Sequence, residues 1–149
     1  MEKLLKVMSI LTLLVFPAWM TAQSGVEGYW TGTITHSEEG GYRASYTFKL
    51  KLEQKGDQIT GKSYVYADDI YAVMEVKGTL YSGLYLHLKD EQITDHVEKE
   101  GMEWCMKKYQ LILKKVEGKW QLEGHWQGDT SFSNCIPGKV FLKRGTLRA

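Results

Sequence analysis

From Ser45 onward the chain repeats with a period of two. Tyr46, Phe48, Leu50 and Leu52 fall on one parity, and Ser45, Thr47, Lys49, Lys51 and Glu53 on the other. A half-buried strand imposes this period, because successive side chains point to opposite faces of a sheet. Nothing in the stretch recurs at three or four, so a helix is excluded there. Breaks at Lys55-Gly56-Asp57, Asp68-Asp69, Ser82-Gly83 and Glu117-Gly118 cut the chain into pieces of strand length, and their residue types suit tight hairpin turns.

The strand pattern places a first strand at Val26–His36, closed by the polar break Ser37–Gly41. The alternating run through Leu52 follows, then Gln58–Ala67 and Ile70–Leu80, the latter with Ala72, Met74 and Val76 on one face. A fifth strand opens at Leu84–Leu88, and a sixth, Trp104–Lys115, carries Tyr109, Leu111 and Leu113 in phase. In the seventh, Trp120, Leu122, Gly124 and Trp126 share a face, and the eighth is Lys139–Arg144. Lys89–Glu103 is acidic and the least regular part, readable as an extension of the fifth strand that runs into a long loop. Eight strands joined by tight turns predict an all-β fold, an antiparallel up-and-down β-barrel of about eight strands, since closure removes the exposed edges. A sandwich would need longer crossovers. A barrel of this size is either filled by side chains or wide enough for one small ligand.

Residues 1–22 read as a signal peptide with a signal helix, an uncleaved N-terminal anchor being the alternative, and residues 23–149 as a single barrel domain. Lys3 and Lys6 form a basic start, Val7–Phe16 is an apolar run, and the segment ending at Ala22 suits cleavage. The run is short of the roughly 20 residues a membrane-spanning helix needs, so no integral membrane segment is expected after cleavage, and the location is secreted or periplasmic. Removing Met1–Ala22 takes away two lysines and one glutamate, which leaves equal numbers of basic and acidic residues. A neutral chain argues against nucleic acid as a partner, because that affinity comes mainly from neutralising phosphates. Cys105 and Cys135 are read as a disulfide, as befits an exported pair, with free buried thiols as the alternative. It would close a loop of about 30 residues, worth roughly 3–4 kcal/mol in a chain-entropy model. The pair lies two strands apart, so the loop before the last strand must fold across the end of the seventh to make the bond.

Gly28-Tyr29-Trp30-Thr31-Gly32 opens the first strand, and a second G-x-W-x-G, Gly124-His125-Trp126-Gln127-Gly128, ends the seventh. The first copy resembles the calycins, the group of lipocalins, fatty-acid-binding proteins and avidins. That resemblance implies a calycin-like barrel in which Trp30 plugs one end and Arg144, or failing it Lys143, packs across the indole. The sequence differs from each subfamily: the turn Val116-Glu117-Gly118 replaces the lipocalin T-D-Y, and no helical pair follows the first strand. Ile59–Tyr64 looks like an avidin strand, yet Gly32 stands where avidins carry an asparagine, which removes the implication of biotin binding. The chain also resembles small secreted proteins of Bacteroidota, a likeness that implies no activity. Antiparallel order puts Trp30 and Trp126 at opposite ends, one the floor and the other the mouth.

Tyr46, Phe48, Ser63, Trp120 and Trp126 are the candidate interior residues, either lining a ligand pocket or filling a small core. Tyr64, Tyr66 and Tyr71 form a candidate outward patch for stacking on carbohydrate, or a pair of strands stabilised by aromatic contacts. His36, His87, His96 and His125 lack metal-ligand spacing, so no metal and no cofactor is expected. No nucleophile motif suggests an enzyme. Lys107-Lys108, Lys114-Lys115 and Lys143-Arg144 read as solvated faces. The expected function is an exported, non-catalytic barrel holding a small, mainly apolar ligand inside. The alternative is a structural or surface-binding module, with carbohydrate or protein contacts through tyrosines and a solid interior.

Overall fold

The computed structural model describes residues 25–36 and 45–145. The expected signal helix and the Ser37–Gly41 break lie outside them. Eight strands follow one another: β1 (Gly28–Thr35), β2 (Ser45–Lys55), β3 (Gln58–Ala67), β4 (Ile70–Tyr81), β5 (Tyr85–Val97), β6 (Met106–Val116), β7 (Lys119–Asp129) and β8 (Gly138–Arg144). Each pairs antiparallel with its sequence neighbours, and β1 pairs with β8 from Trp30↔Arg144 to Ile34↔Val140, closing the barrel. There is no helix among the described residues.

Alternation decides which side chains enter. Phe48, Leu50 and Leu52 of β2 meet Leu86 and Leu88 of β5, Leu111 and Leu113 of β6, and Leu122 and Leu142 of β7 and β8 in one core. Between them the outward positions carry the lysines and glutamates. Inward glycines let strands coil tightly: a Cβ on Gly32 would strike the Phe141 carbonyl, and one on Gly124 the Gln110 carbonyl. Both G-x-W-x-G copies therefore mark sites of close strand approach.

One end is shut. Trp30 is fully buried, its Nε1 donates to the Val26 carbonyl at 2.8 Å, and the Arg144 guanidinium carbon lies 4.5 Å from the ring centroid. Arg144 also donates through Nη1 to the Glu27 carbonyl and through Nη2 to the Gly25 carbonyl, each at 2.7 Å. Gly28, at φ +120°, turns the chain under that guanidinium, where a Cβ would stand 3.3 Å from Nη1. Guanidinium stacking on an indole and two charge-assisted hydrogen bonds lock the leader onto the last strand.

The acidic stretch is more regular than its composition suggests. β5 continues to Val97, paired with β4 through two irregularities of register at Val73/Met74 and Glu75/Val76. With β6, however, it pairs only from Tyr85↔Ile112 to Lys89↔Lys108, so the two strands part at Asp90. The sixth strand starts at Met106 rather than Trp104, because Trp104 turns into the core and donates through Nε1 to the Val97 carbonyl at 3.3 Å.

Replacing Trp30 by Ala should cost about 3–5 kcal/mol in chemical denaturation, the range for deleting a large buried aromatic. A loss below about 1 kcal/mol would contradict the plug described here.

Candidate functional site

The described loops at the end opposite Trp30 are those between β3 and β4, β5 and β6, and β7 and β8. Two of them are joined. Cys105 and Cys135 form the expected disulfide, with Cα atoms 6.3 Å apart. Beside it Glu103 accepts from Ser131 N at 2.9 Å and from Ser131 Oγ at 2.7 Å, bonds that hold the Glu103 carboxyl below the usual range.

Under these loops lies a pocket of about 180 Å³, walled by Ile34, Tyr46, Val65, Ile70, Trp104 and Trp126. Trp126 is fixed by its Nε1, which donates to the Thr35 carbonyl at 2.8 Å. His36 packs edge-on against both Tyr46 and Trp126, with ring centroids 5.4 Å away in each case. Burial first, and then the charge of Lys107, pushes the His36 imidazole below its ordinary range. Deeper in the barrel Phe48 stacks on Tyr109 at 5.6 Å and 18°, without lining the pocket.

Lys107 also lines the pocket, and with it a polar cluster enters an otherwise apolar interior. Its Nζ lies 3.4 Å from Asp90 Oδ2 and donates to the Cys105 carbonyl at 2.9 Å. Asp90 Oδ2 accepts the Lys107 backbone N–H at 2.8 Å, and Oδ1 accepts the Tyr109 hydroxyl at 3.0 Å. The side chains of Lys107 and Asp90 are 5% and 0% exposed. Burial raises the Asp90 pKa and lowers that of Lys107, each opposed by the charge of the other. Burial and then Asp90 carry the Tyr109 phenol well above 10, while Ser63 acts weakly the other way. That contact falls short of a hydrogen bond: Ser63 Oγ is, among the described residues, the one buried side-chain polar atom without a hydrogen-bond partner.

The sequence-derived interior set is thus divided. Tyr46 and Trp126 meet at the pocket, while Phe48 and Ser63 sit in the layer around Tyr109. Trp120 is at the shut end, half-buried, with the Lys115 ammonium 5.5 Å over its ring, and does not join them. Tyr64, Tyr66 and Tyr71 alternate with buried Val65 and Ala72 and face outward as expected. Tyr66 and Tyr71 are cross-strand partners with centroids 6.5 Å apart, and the Tyr71 hydroxyl donates to Asp95 Oδ2 at 3.1 Å.

Lys107 corrects the reading of Lys107-Lys108 as a solvated face, and Asp90, inside the acidic stretch, is buried beside it. The signal was present. Tyr109, Leu111 and Leu113 in phase put Lys107 on the inward parity, and Leu86 and Leu88 do the same for Asp90. Comparison with family models, curated proteins and solved structures finds no match to this chain.

Two measurements bear on this site. Thiol labelling of the unfolded, non-reduced protein should find no reactive thiol, and the double change Cys105→Ser/Cys135→Ser should cost roughly 3–4 kcal/mol. Lys107→Met should destabilise by about 3–5 kcal/mol, because it strands a buried carboxylate, and adding Asp90→Asn should recover much of the loss. In the single variant the folded-state Asp90 pKa stays above its unfolded value. The native state then binds the proton more readily, so the deficit grows as pH rises above about 4 and shrinks below it.

Proposed function

We propose that this protein is an exported, non-catalytic β-barrel that holds a small, mainly apolar group at its open end. The observation that carries this reading is the pocket of about 180 Å³ walled by Tyr46, Trp104 and Trp126, at the end opposite the Trp30–Arg144 closure. A cavity of roughly 150 Å³ lined by apolar side chains is enough for a benzene ring. The ligand, or the part of it that enters, is then ring-sized rather than a long chain, since Phe48, Leu50 and Leu52 fill the barrel below. Export is the reading of Met1–Ala22, and the disulfide is compatible with an extracellular or periplasmic location.

The packed lower barrel favours a second reading, a surface module contacting carbohydrate or protein through Tyr64, Tyr66 and Tyr71. Tyr66 is 40% exposed and offers a face, with Lys49 Nζ 5.8 Å from its centroid. Tyr71, by contrast, is engaged by Asp95 and by Tyr66 itself. The mouth pocket asks less of the surface and is the reading we adopt.

Native mass spectrometry of protein purified from its own host tests the choice. A small molecule that co-purifies and is lost on denaturation is expected, and Ala67→Phe, which fills the pocket from its half-buried wall, should abolish it. A chain that carries nothing, and whose melting is unmoved by ring-sized apolar compounds, would turn the assignment to the tyrosine surface. Saturation at 100 times Kd should otherwise add about 2.7 kcal/mol.

A further inference from the structure

A pocket for an apolar group has no need of a buried ion pair, yet Lys107 stands in its wall. The ammonium is 3.4 Å from Asp90 Oδ2, 2.9 Å from the Cys105 carbonyl, 3.9 Å from Met74 Sδ and 6.0 Å from the Trp126 ring centroid. An anionic ligand would have to draw this cation from Asp90 and leave a buried carboxylate uncompensated, which is costly. A ligand without a reactive group would leave the amine idle. A ligand that bonds to the nitrogen and preserves its positive charge meets neither objection.

We infer that Lys107 captures a small apolar aldehyde as a protonated imine, with Asp90 as the counter-ion. The inference rests on the pocket reading and deepens it by naming the class of ligand. Asp90 takes one proton from the ammonium, and the freed nitrogen lone pair attacks the carbonyl carbon. A C–N bond forms while the carbonyl π electrons pass to oxygen, which receives that proton from Asp90. Asp90 then removes a second proton from nitrogen and returns it to the hydroxyl. The nitrogen lone pair expels water and completes the C=N bond. One ammonium and one aldehyde give one iminium and one water, with the charge unchanged and no redox partner required.

The surroundings suit each step. The Tyr109 hydroxyl donates to Asp90 at 3.0 Å to Oδ1 and 3.3 Å to Oδ2, and the Lys107 N–H holds Oδ2 at 2.8 Å, so the carboxylate is fixed beside the amine. Desolvation makes both members of the pair readier to exchange a proton, as their opposite shifts indicate. A desolvated lysine is a better nucleophile at neutral pH than a surface one. The aromatic walls take the apolar body. Hydrolysis, the same steps reversed, releases the aldehyde intact.

Benzaldehyde is a probe of suitable size, with sodium cyanoborohydride to reduce any imine to a stable benzylamine. The full chain, trapped at neutral pH and mapped by peptide mass spectrometry, should carry benzyl at Lys107 at least about tenfold in excess of any other lysine, a modest effective-molarity gain. Ala67→Phe should remove that preference. Labelling spread evenly over surface lysines overturns the inference, and so does a Lys107 preference that survives Ala67→Phe, since the adduct would not be seated in the pocket. Benzyl alcohol, of similar size but unable to form an imine, separates the two claims. Quenching of tryptophan fluorescence by benzyl alcohol without trapping at Lys107 leaves the pocket and refutes the imine. No response to either compound refutes both.

Discussion

The contact on which this architecture depends is the Arg144 guanidinium on the Trp30 indole. The seam between β1 and β8 is short, running only from Trp30↔Arg144 to Ile34↔Val140. Without it the meander would present two raw edges. Arg144 adds to the ladder by reaching over Trp30 and binding the carbonyls of Gly25 and Glu27, so the chain leading into β1 is strapped to the strand that ends the fold. One residue thereby closes the sheet and shuts one end, and it follows that anything entering the barrel does so at the other.

A second seam behaves differently. β5 and β6 pair as far as Lys89↔Lys108 and then part. At the point of parting the Asp90 carboxylate takes the Lys107 N–H that a main-chain carbonyl would otherwise accept. The substitution brings a charge into the interior, and Lys107 and Tyr109 offset its desolvation. Buried ion pairs are weak contributors to stability compared with apolar packing of the same volume.

Much of this was legible in the sequence because a closed meander is almost entirely period two. Gln58–Ala67 appears with the bounds the alternation gives, and Trp30, Arg144, Trp126, Cys105 and Cys135 occupy the ends their strand order assigns. What escaped is instructive. Lys107 and Asp90 are charged, yet the strand period puts both inside. Trp120 keeps the inward parity and packs against the core, but it lies at the start of β7, at the end away from the pocket, and only part of the indole is covered. Trp104 could not be placed by period at all, since it precedes β6 and enters the core from a loop.

The parting of β5 from β6 also explains where the chain keeps its acidity. From Glu91 to Val97, β5 has a strand on one side only among the described residues. An unpaired edge invites a strand from another molecule, and charged side chains along it are a common defence. Glu91 and Asp95 stand on that edge, with Glu98 and Glu100 just beyond it. Two such edges brought together antiparallel would align carboxylate against carboxylate. Like charges along that edge oppose the addition of a strand from a second copy.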